Sequence, residues 1–283
     1  MQLKPINKEI QRYLRTGKYD SEFYPWAGGS TFANGALGPA ALREALIGEV
    51  RKRTPRATIP NRLAEIDAVG FTRAKVAPMV RGLFPKDEQD TILDVLGHSV
   101  VYLTPANIDT VLRGMSWLKT AWDLANLYLG SFGAELLSSR APRLVGLSEE
   151  THCYVSADYF REENRFDDFV VHEVAHIFHN CKRRTFGLRE IRGREWLLEI
   201  DFAKRETFAY ACEAYSRLVM LGDGTSARKT LLTAHGEEFA LSDDRVDADE
   251  YLDILREAVA ARNGWKQILK RCAAPKATSP RLL

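Results

Sequence analysis

The sequence predicts a mainly α protein with a small β-sheet, an α+β chain whose N-terminal half is helical. Three observations lead there. Apolar residues recur at helical spacing over long stretches, as in Leu42, Ala45, Leu46 and Val50. Strong β-formers gather in only a few short runs. The composition, 45% hydrophobic and 28% charged, is that of a folded globular chain. Forty Lys and Arg against 38 Asp and Glu exclude a highly charged disordered chain and a histone-like coat of positive charge.

The elements follow in order. Residues 1–38 read as irregular, and the glycines of Tyr24–Gly38 mark a loop. No GK[ST] follows those glycines, so they do not read as a phosphate cradle. Pro39 fits the first turn of a helix reaching Arg53, with Arg51–Arg53 at its favourable C-terminal end. Residues 60–130 read as several helices. Ile66, Val69, Val76, Met79 and Val80 serve one segment, and Ile92, Leu93, Val95 and Leu96 a second after Pro85. Ser99–Leu103 reads as a short strand. Thr104 and Pro105 then suit the N-cap and N1 positions of another helix. Trp117, Leu118, Ala121, Trp122, Leu124, Ala125 and Tyr128 form the apolar face of the next, which ends near Gly130 or Gly133. Arg143–Gly146 and Cys153–Phe160 are the strand candidates of the second half, and the pattern is helical from Arg165 onward.

At roughly 150 residues per domain, 283 residues make about two domains. The expected division is a helical region 1–130 for substrate recognition or regulation, a catalytic region 131–272, and a flexible tail 273–283. The polar start, MQLKPINKEIQRYLR, lacks the apolar core of a signal peptide, and no apolar run reaches about 18 residues. Four scattered cysteines form no CxxC pair. A cytoplasmic protein without a membrane partner is expected.

The chemistry concentrates in Asp167–Asn180, DDFVVHEVAHIFHN, which contains the HExxH His172-Glu173-Val174-Ala175-His176. Residues four apart share a helix face, so His172 and His176 can offer two imidazole nitrogens to one metal ion. Glu173 lies about 100° further round, where it meets a water rather than the metal. Asp167 and Asp168 stand where an N-cap and first turn belong. The flanking residues Phe169, Val170, Val171, Val174, Ile177 and Phe178 are uncharged, as a buried active-site helix requires. With six histidines in the chain, a chance HExxH is expected about once per hundred such sequences. Zn2+ is the expected cofactor.

A catalytic zinc site needs a third protein ligand and an open position. The metzincin extension, with a glycine at position 179 and a histidine at position 182, is excluded by His179 and Lys182. Three downstream carboxylates compete: Glu195, Glu199 and Glu206. Glu206 is favoured by context. It opens Glu206-Thr207-Phe208-Ala209-Tyr210-Ala211-Cys212-Glu213-Ala214, whose small residues allow close helix packing. Glu206, Tyr210 and Glu213 share one face of that helix.

On these residues, from His172 to Leu221, the chain resembles the ImmA/IrrE-type metallopeptidases, glutamate-zincins whose HExxH is followed by a Glu-led, alanine-rich helix. The match runs through Glu206, Ala209 or Tyr210, Ala211 and Glu213. It departs where Leu218-Val219-Met220-Leu221 replaces a Leu-Met-Pro, and no helix-turn-helix domain is evident. The resemblance implies a zincin-like core, zinc held by Glu206 with the two histidines, and limited cleavage of a protein or peptide substrate such as a transcriptional regulator. Zinc in such a site lowers the pKa of a bound water toward about 7, and Glu173 is the expected general base. Tyr210, His179 and His235 are candidate oxyanion donors, and Cys153–Phe160 a candidate edge strand for substrate pairing.

Two alternatives stand beside the peptidase. One is a non-catalytic zinc-containing module binding nucleic acid or a protein partner, suggested by the basic run Lys182–Arg194 (KRRTFGLREIRGR). The other is a toxin or effector protease.

Overall fold

The structure is a computed structural model that describes residues 5–26, 31–161, 165–190, 195–238 and 243–275. Its helices are α1 (Pro5–Thr16), α2 (Thr31–Arg53), α3 (Asn61–Glu65), α4 (Ala68–Leu83), α5 (Lys86–Ser99), α6 (Ile108–Gly114), α7 (Leu118–Ser131), α8 (Phe169–Asn180), α9 (Arg205–Leu221), α10 (Gly224–Glu238), α11 (Ala248–Ala260) and α12 (Gly264–Cys272). Three strands, β1 (Val100–Tyr102), β2 (Gly146–Glu149) and β3 (His152–Val155), form one mixed sheet in the order β1-β3-β2. The chain is therefore mainly α with a small β-sheet, as its sequence predicts. Among the described residues no helix is long and apolar enough to cross a membrane.

The contacts divide the chain into two compact units built from interleaved segments. The first comprises residues 1–65, 102–147 and 154–162; the second comprises 66–101, 148–153 and 163–283. This division does not follow the expected boundary near residue 130. In the first unit α2 packs against α1, α6 and α7. Leu42, Leu46 and Val50 of α2 and Leu118, Ala121, Trp122 and Ala125 of α7 are buried. In the second unit α4 packs on α5, α8 and α12, and α9 packs on α8, α10, α11 and α12. Its core includes Val76, Val80, Val174, Phe178, Phe208, Cys212, Ile254 and Ile268.

Several expectations are corrected. Residues 1–38 are not irregular throughout. Ile6, Ile10, Tyr13 and Leu14 are spaced for a helix, and α1 buries Tyr13, whose hydroxyl donates to the Leu118 carbonyl at 2.7 Å. α2 begins at Thr31, so Pro39 lies inside it rather than in its first turn. The carbonyl that a helix proline crowds belongs here to Gly35, which carries no side chain and has open space around it. The helix expected from Thr104 starts at Ile108 instead. Asn107 Oδ1 accepts the Thr104 N–H at 2.8 Å, and Thr104 carbonyl accepts from Asn107 and Ile108, closing a turn first. The second-half strands are also displaced: β2 starts at Gly146, and β3 stops at Val155. Ser156 then accepts the Asp158 N–H and turns Ala157–Phe160 into a 3₁₀ turn. Ala273 pairs with Ile200 and the Ala274 N–H donates to Glu199, so the start of the expected tail is bound; residues 276–283 of it lie outside the described residues.

Candidate metal centre

The centre is built on α8 and α9, both in the second unit. Asp168 caps α8: its carboxylate accepts the Val171 N–H, and Lys75 Nζ holds its other oxygen at 2.8 Å. From this start the helix buries Val170, Val171, Val174, Ala175, Ile177 and Phe178. α9 approaches through Ala209, Ala211, Cys212 and Ala214, all buried. Small side chains let the two backbones come close enough for side chains of one helix to reach those of the other.

The Nε2 atoms of His172 and His176, one helical turn apart, lie 3.2 Å from each other. Glu206, in the first turn of α9, brings Oε2 to 3.4 Å from His176 Nε2 and 3.9 Å from His172 Nε2. These atoms fall within 4.8 Å of one another, the described cluster that could hold a metal ion. Tetrahedral zinc with bonds of about 2.0–2.2 Å spaces its ligand atoms roughly 3.3–3.6 Å apart. The three separations bracket that range.

The far sides of the rings fix the tautomers. His172 Nδ1 lies 3.0 Å from Glu213 Oε2, and Glu213 Oε1 accepts the Asp168 N–H at 2.7 Å. A carboxylate accepts, so the His172 proton belongs on Nδ1. His179 Nδ1 lies 3.1 Å from Asn180 Oδ1, which also accepts. His179 Nε2 is then an acceptor, and it takes the Nδ1–H of His176 at 3.0 Å. Both Nε2 atoms thus point into the same space beside a carboxylate oxygen. That donor set attracts a cation, and two imidazoles with one carboxylate suit zinc.

In the metal-free protein the same groups favour protons at the positions a cation would take, so binding an ion would displace them. Burial opposes charge on His172, but the hydrogen bond to Glu213 and the charges of Glu213, Glu173 and Glu206 outweigh it and raise its pKa to about 9. Burial raises the Glu173 carboxyl above its usual range, against the pull of His172 and His176. Burial acts likewise on Glu206, but its hydrogen bond to His176 and the charges of His176, Arg245 and His172 leave it lowered. Tyr210, edge-on to His172 with ring centroids 4.6 Å apart, is pushed up to about 12 by burial and by Asp243, Glu213 and Glu206. It therefore keeps its O–H and can donate a hydrogen bond at neutral pH. Together these groups can bind a divalent cation, accept a proton at Glu173 and donate a hydrogen bond at Tyr210.

The structure thus brings His172, His176, Glu173 and Glu206 together. It does not bring Glu195 or Glu199 to them. Glu195 is exposed and paired with Lys182, while Glu199 Oε1 accepts the N–H groups of Glu195 and Trp196. Among the candidate oxyanion donors, Tyr210 stands beside His172. His179 supports His176 instead, and His235 is buried against Phe166 with its Nε2 2.8 Å from Tyr251 Oη. The expected edge strand is corrected: β3 is the middle strand of the sheet, so its backbone is paired on both sides. The basic run is in part structural, since Arg183 is buried and ion-paired with Glu88; residues 191–194 lie outside the described residues. All four cysteines are free and buried.

Sequence reasoning missed Lys75, which holds the Asp168 cap, and the Asp243–Arg245 pair, which reaches Glu206. The only signal at Asp243-Asp244-Arg245 is polarity, which marks a turn but not its target. No family model, curated protein or solved structure matches the chain.

Proposed function

We propose that this protein is a zinc-dependent metallopeptidase of the glutamate-zincin kind, akin to the ImmA/IrrE-type enzymes that its HExxH and Glu206 helix resemble. On this reading it makes limited cuts in a protein or peptide substrate. The four free, buried thiols suit action in the reducing cytoplasm. The observation that carries the proposal is the convergence of His172 Nε2, His176 Nε2 and Glu206 Oε2 beside a buried Glu173.

Zinc, when bound, would supply a Lewis acid that lowers the pKa of a water toward about 7 and polarises a carbonyl. The chain's own groups then divide the work. His172 and His176 keep their Nδ1 protons on Glu213 and His179, which would leave each Nε2 to the ion once its proton is displaced. Glu173 takes the proton of the attacking water on its carboxylate and returns it to the leaving amine. Its burial raises its pKa, which makes the carboxylate a better base. Tyr210, protonated at working pH, donates its O–H to the developing oxyanion. Glu173 also speaks against a purely structural ion, since a closed site has no use for a buried base beside it.

The test is metal content and peptidase activity of the wild type, Glu173→Gln and Glu206→Ala. We expect about one zinc per chain in the wild type and Glu173→Gln, and a large loss in Glu206→Ala. A peptide library should be cleaved by the wild type, with Glu173→Gln at least about a hundredfold slower. Absence of zinc from reconstituted, folded wild type would sink the proposal. Zinc without any Glu173-dependent cleavage would leave a metal site and remove the peptidase.

A further inference from the structure

Each histidine ligand has its far nitrogen occupied: His172 by Glu213, His176 by His179. The third ligand is served in the same way from a different element. Glu206 turns Oε2 toward the histidines, and an Nη1–H of Arg245 donates to its Oε1 at 2.7 Å. Arg245 stands in the turn leading into α11, and that turn is itself built to aim it. Asp243 accepts from Arg245 Nε at 2.8 Å and Nη2 at 2.6 Å, a two-pronged grip. The Arg245 backbone N–H also donates to Asp243 Oδ1 at 3.0 Å, and the Val246 N–H to the Asp243 carbonyl at 3.2 Å. Val246 is buried, and Asp247 caps α11 by accepting the Glu250 N–H, so both flanks of the turn are anchored.

We infer that Arg245 is a positioning residue for the metal: by taking Glu206 Oε1 it leaves Oε2 alone to meet the ion, and Asp243 holds Arg245 to that task. The inference rests on the metal site proposed above. Its physical content is twofold. A glutamate side chain has several rotatable bonds, and a guanidinium N–H held in place by Asp243 that fixes one oxygen also restricts the direction of the other. A cation beside a dication site is unfavourable by itself, and Asp243 neutralises it, so the pair orients Glu206 at little electrostatic cost. The Arg245 side chain is 63% exposed, so it can be changed without opening the core. An ordinary surface ion pair would contribute almost nothing measurable to metal binding.

The experiment uses the full chain, with zinc affinity measured against a chromophoric chelator and coordination read from the visible bands of the cobalt-loaded protein. Arg245→Met should weaken zinc about 10–100-fold, the usual cost of losing a group that orients a ligand. It should shift the cobalt bands while leaving the thermal unfolding of the metal-free protein unchanged. Arg245→Lys should restore part of the affinity, since it keeps the charge and one donor but loses the fork. Asp243→Asn should weaken binding less than Arg245→Met. Arg256→Ala, at an exposed pair away from Glu206, is the control. Wild-type affinity and an unaltered cobalt spectrum in Arg245→Met, with zinc still lost in Glu206→Ala, would overturn this inference and leave the metal site standing. A wild type that binds no zinc, or a Glu206→Ala that binds as tightly, would overturn both.

Discussion

His179 shows how one residue ties the site to pH. It lies one turn beyond His176, 3% exposed, with a ring nitrogen facing His176 on one side and Asn180 on the other. Burial, then the charges of His176 and Arg205, lower its pKa to about 3. In the unfolded chain it titrates near about 6.5. Below that pH the unfolded state binds a proton that the folded state refuses. The contribution to stability is therefore full above pH 6.5 and lost as pH falls toward 3, at up to about 1.4 kcal/mol per unit. His172 runs the other way. Raised to about 9 in the metal-free protein, its contribution is full below 6.5 and lost as pH rises through 9, outside the acid window. Urea unfolding of metal-free protein should show the wild type losing about 1.5 kcal/mol more than His179→Gln between pH 6.5 and pH 5. Equal losses would mean that folded His179 accepts its proton freely. The pairing of His172 with His176 was legible in the sequence because a four-residue spacing is a local fact about one helix. Glu213 was legible only as a face shared with Glu206. Arg245 was not, because its bond to Glu206 spans 39 residues and depends on where a turn is aimed.

At the scale of elements, periodicity located most helices and close contacts set their limits. Pattern alone marked α4, α5, α7 and the short β1. It missed α1, whose four apolar positions lie among charges, and it could not see that Ser156 would end β3. Two glycines separate propensity from packing. Gly82 of α4 lies under Trp265 of α12, and a Cβ there would overlap the indole ring. Asn263, just before α12, also donates to the Gly82 carbonyl at 3.0 Å, so the helices cannot easily part. Gly48 of α2 is exposed, with nothing within 4 Å of an added Cβ. Alanine favours a helix over glycine by about 1 kcal/mol at either position. Overpacking at Gly82 costs roughly 1–3 kcal/mol and reverses that gain. Chemical denaturation should find Gly48→Ala more stable than the wild type and Gly82→Ala less stable. A stabilised Gly82→Ala would mean that α4 and α12 pack more loosely than their contacts imply.

For the whole molecule, the second unit draws α4 and α5 from the first hundred residues and joins them to α8–α12. No shift of composition at residues 66 or 102 announces this, because partners distant in sequence leave no local mark. The expected split near residue 130 followed the end of a helix at Gly130 or Gly133, whereas the units follow contacts such as Lys75 with Asp168. That arrangement predicts where metal acts. His172 and His176 come from α8 and Glu206 from α9, so a bound ion would join two helices of one unit. An ion bound only by the folded state stabilises it by RT ln(1 + [L]/Kd), about 4 kcal/mol at a thousandfold excess over Kd. Openings that separate α8 from α9 must release the ion and bear that cost. Openings confined to the first unit need not. Amide exchange of metal-free protein titrated with zinc should therefore slow by two orders of magnitude or more, a change of at least about 2.8 kcal/mol, in Val174–Phe178 and Phe208–Cys212. The buried stretch Ala121–Ala125 of α7 serves as the internal reference and should keep its rates. Unchanged exchange in both α8 and α9 at saturating zinc would mean that the ion does not bridge them, and the third ligand would then have to come from elsewhere in the chain.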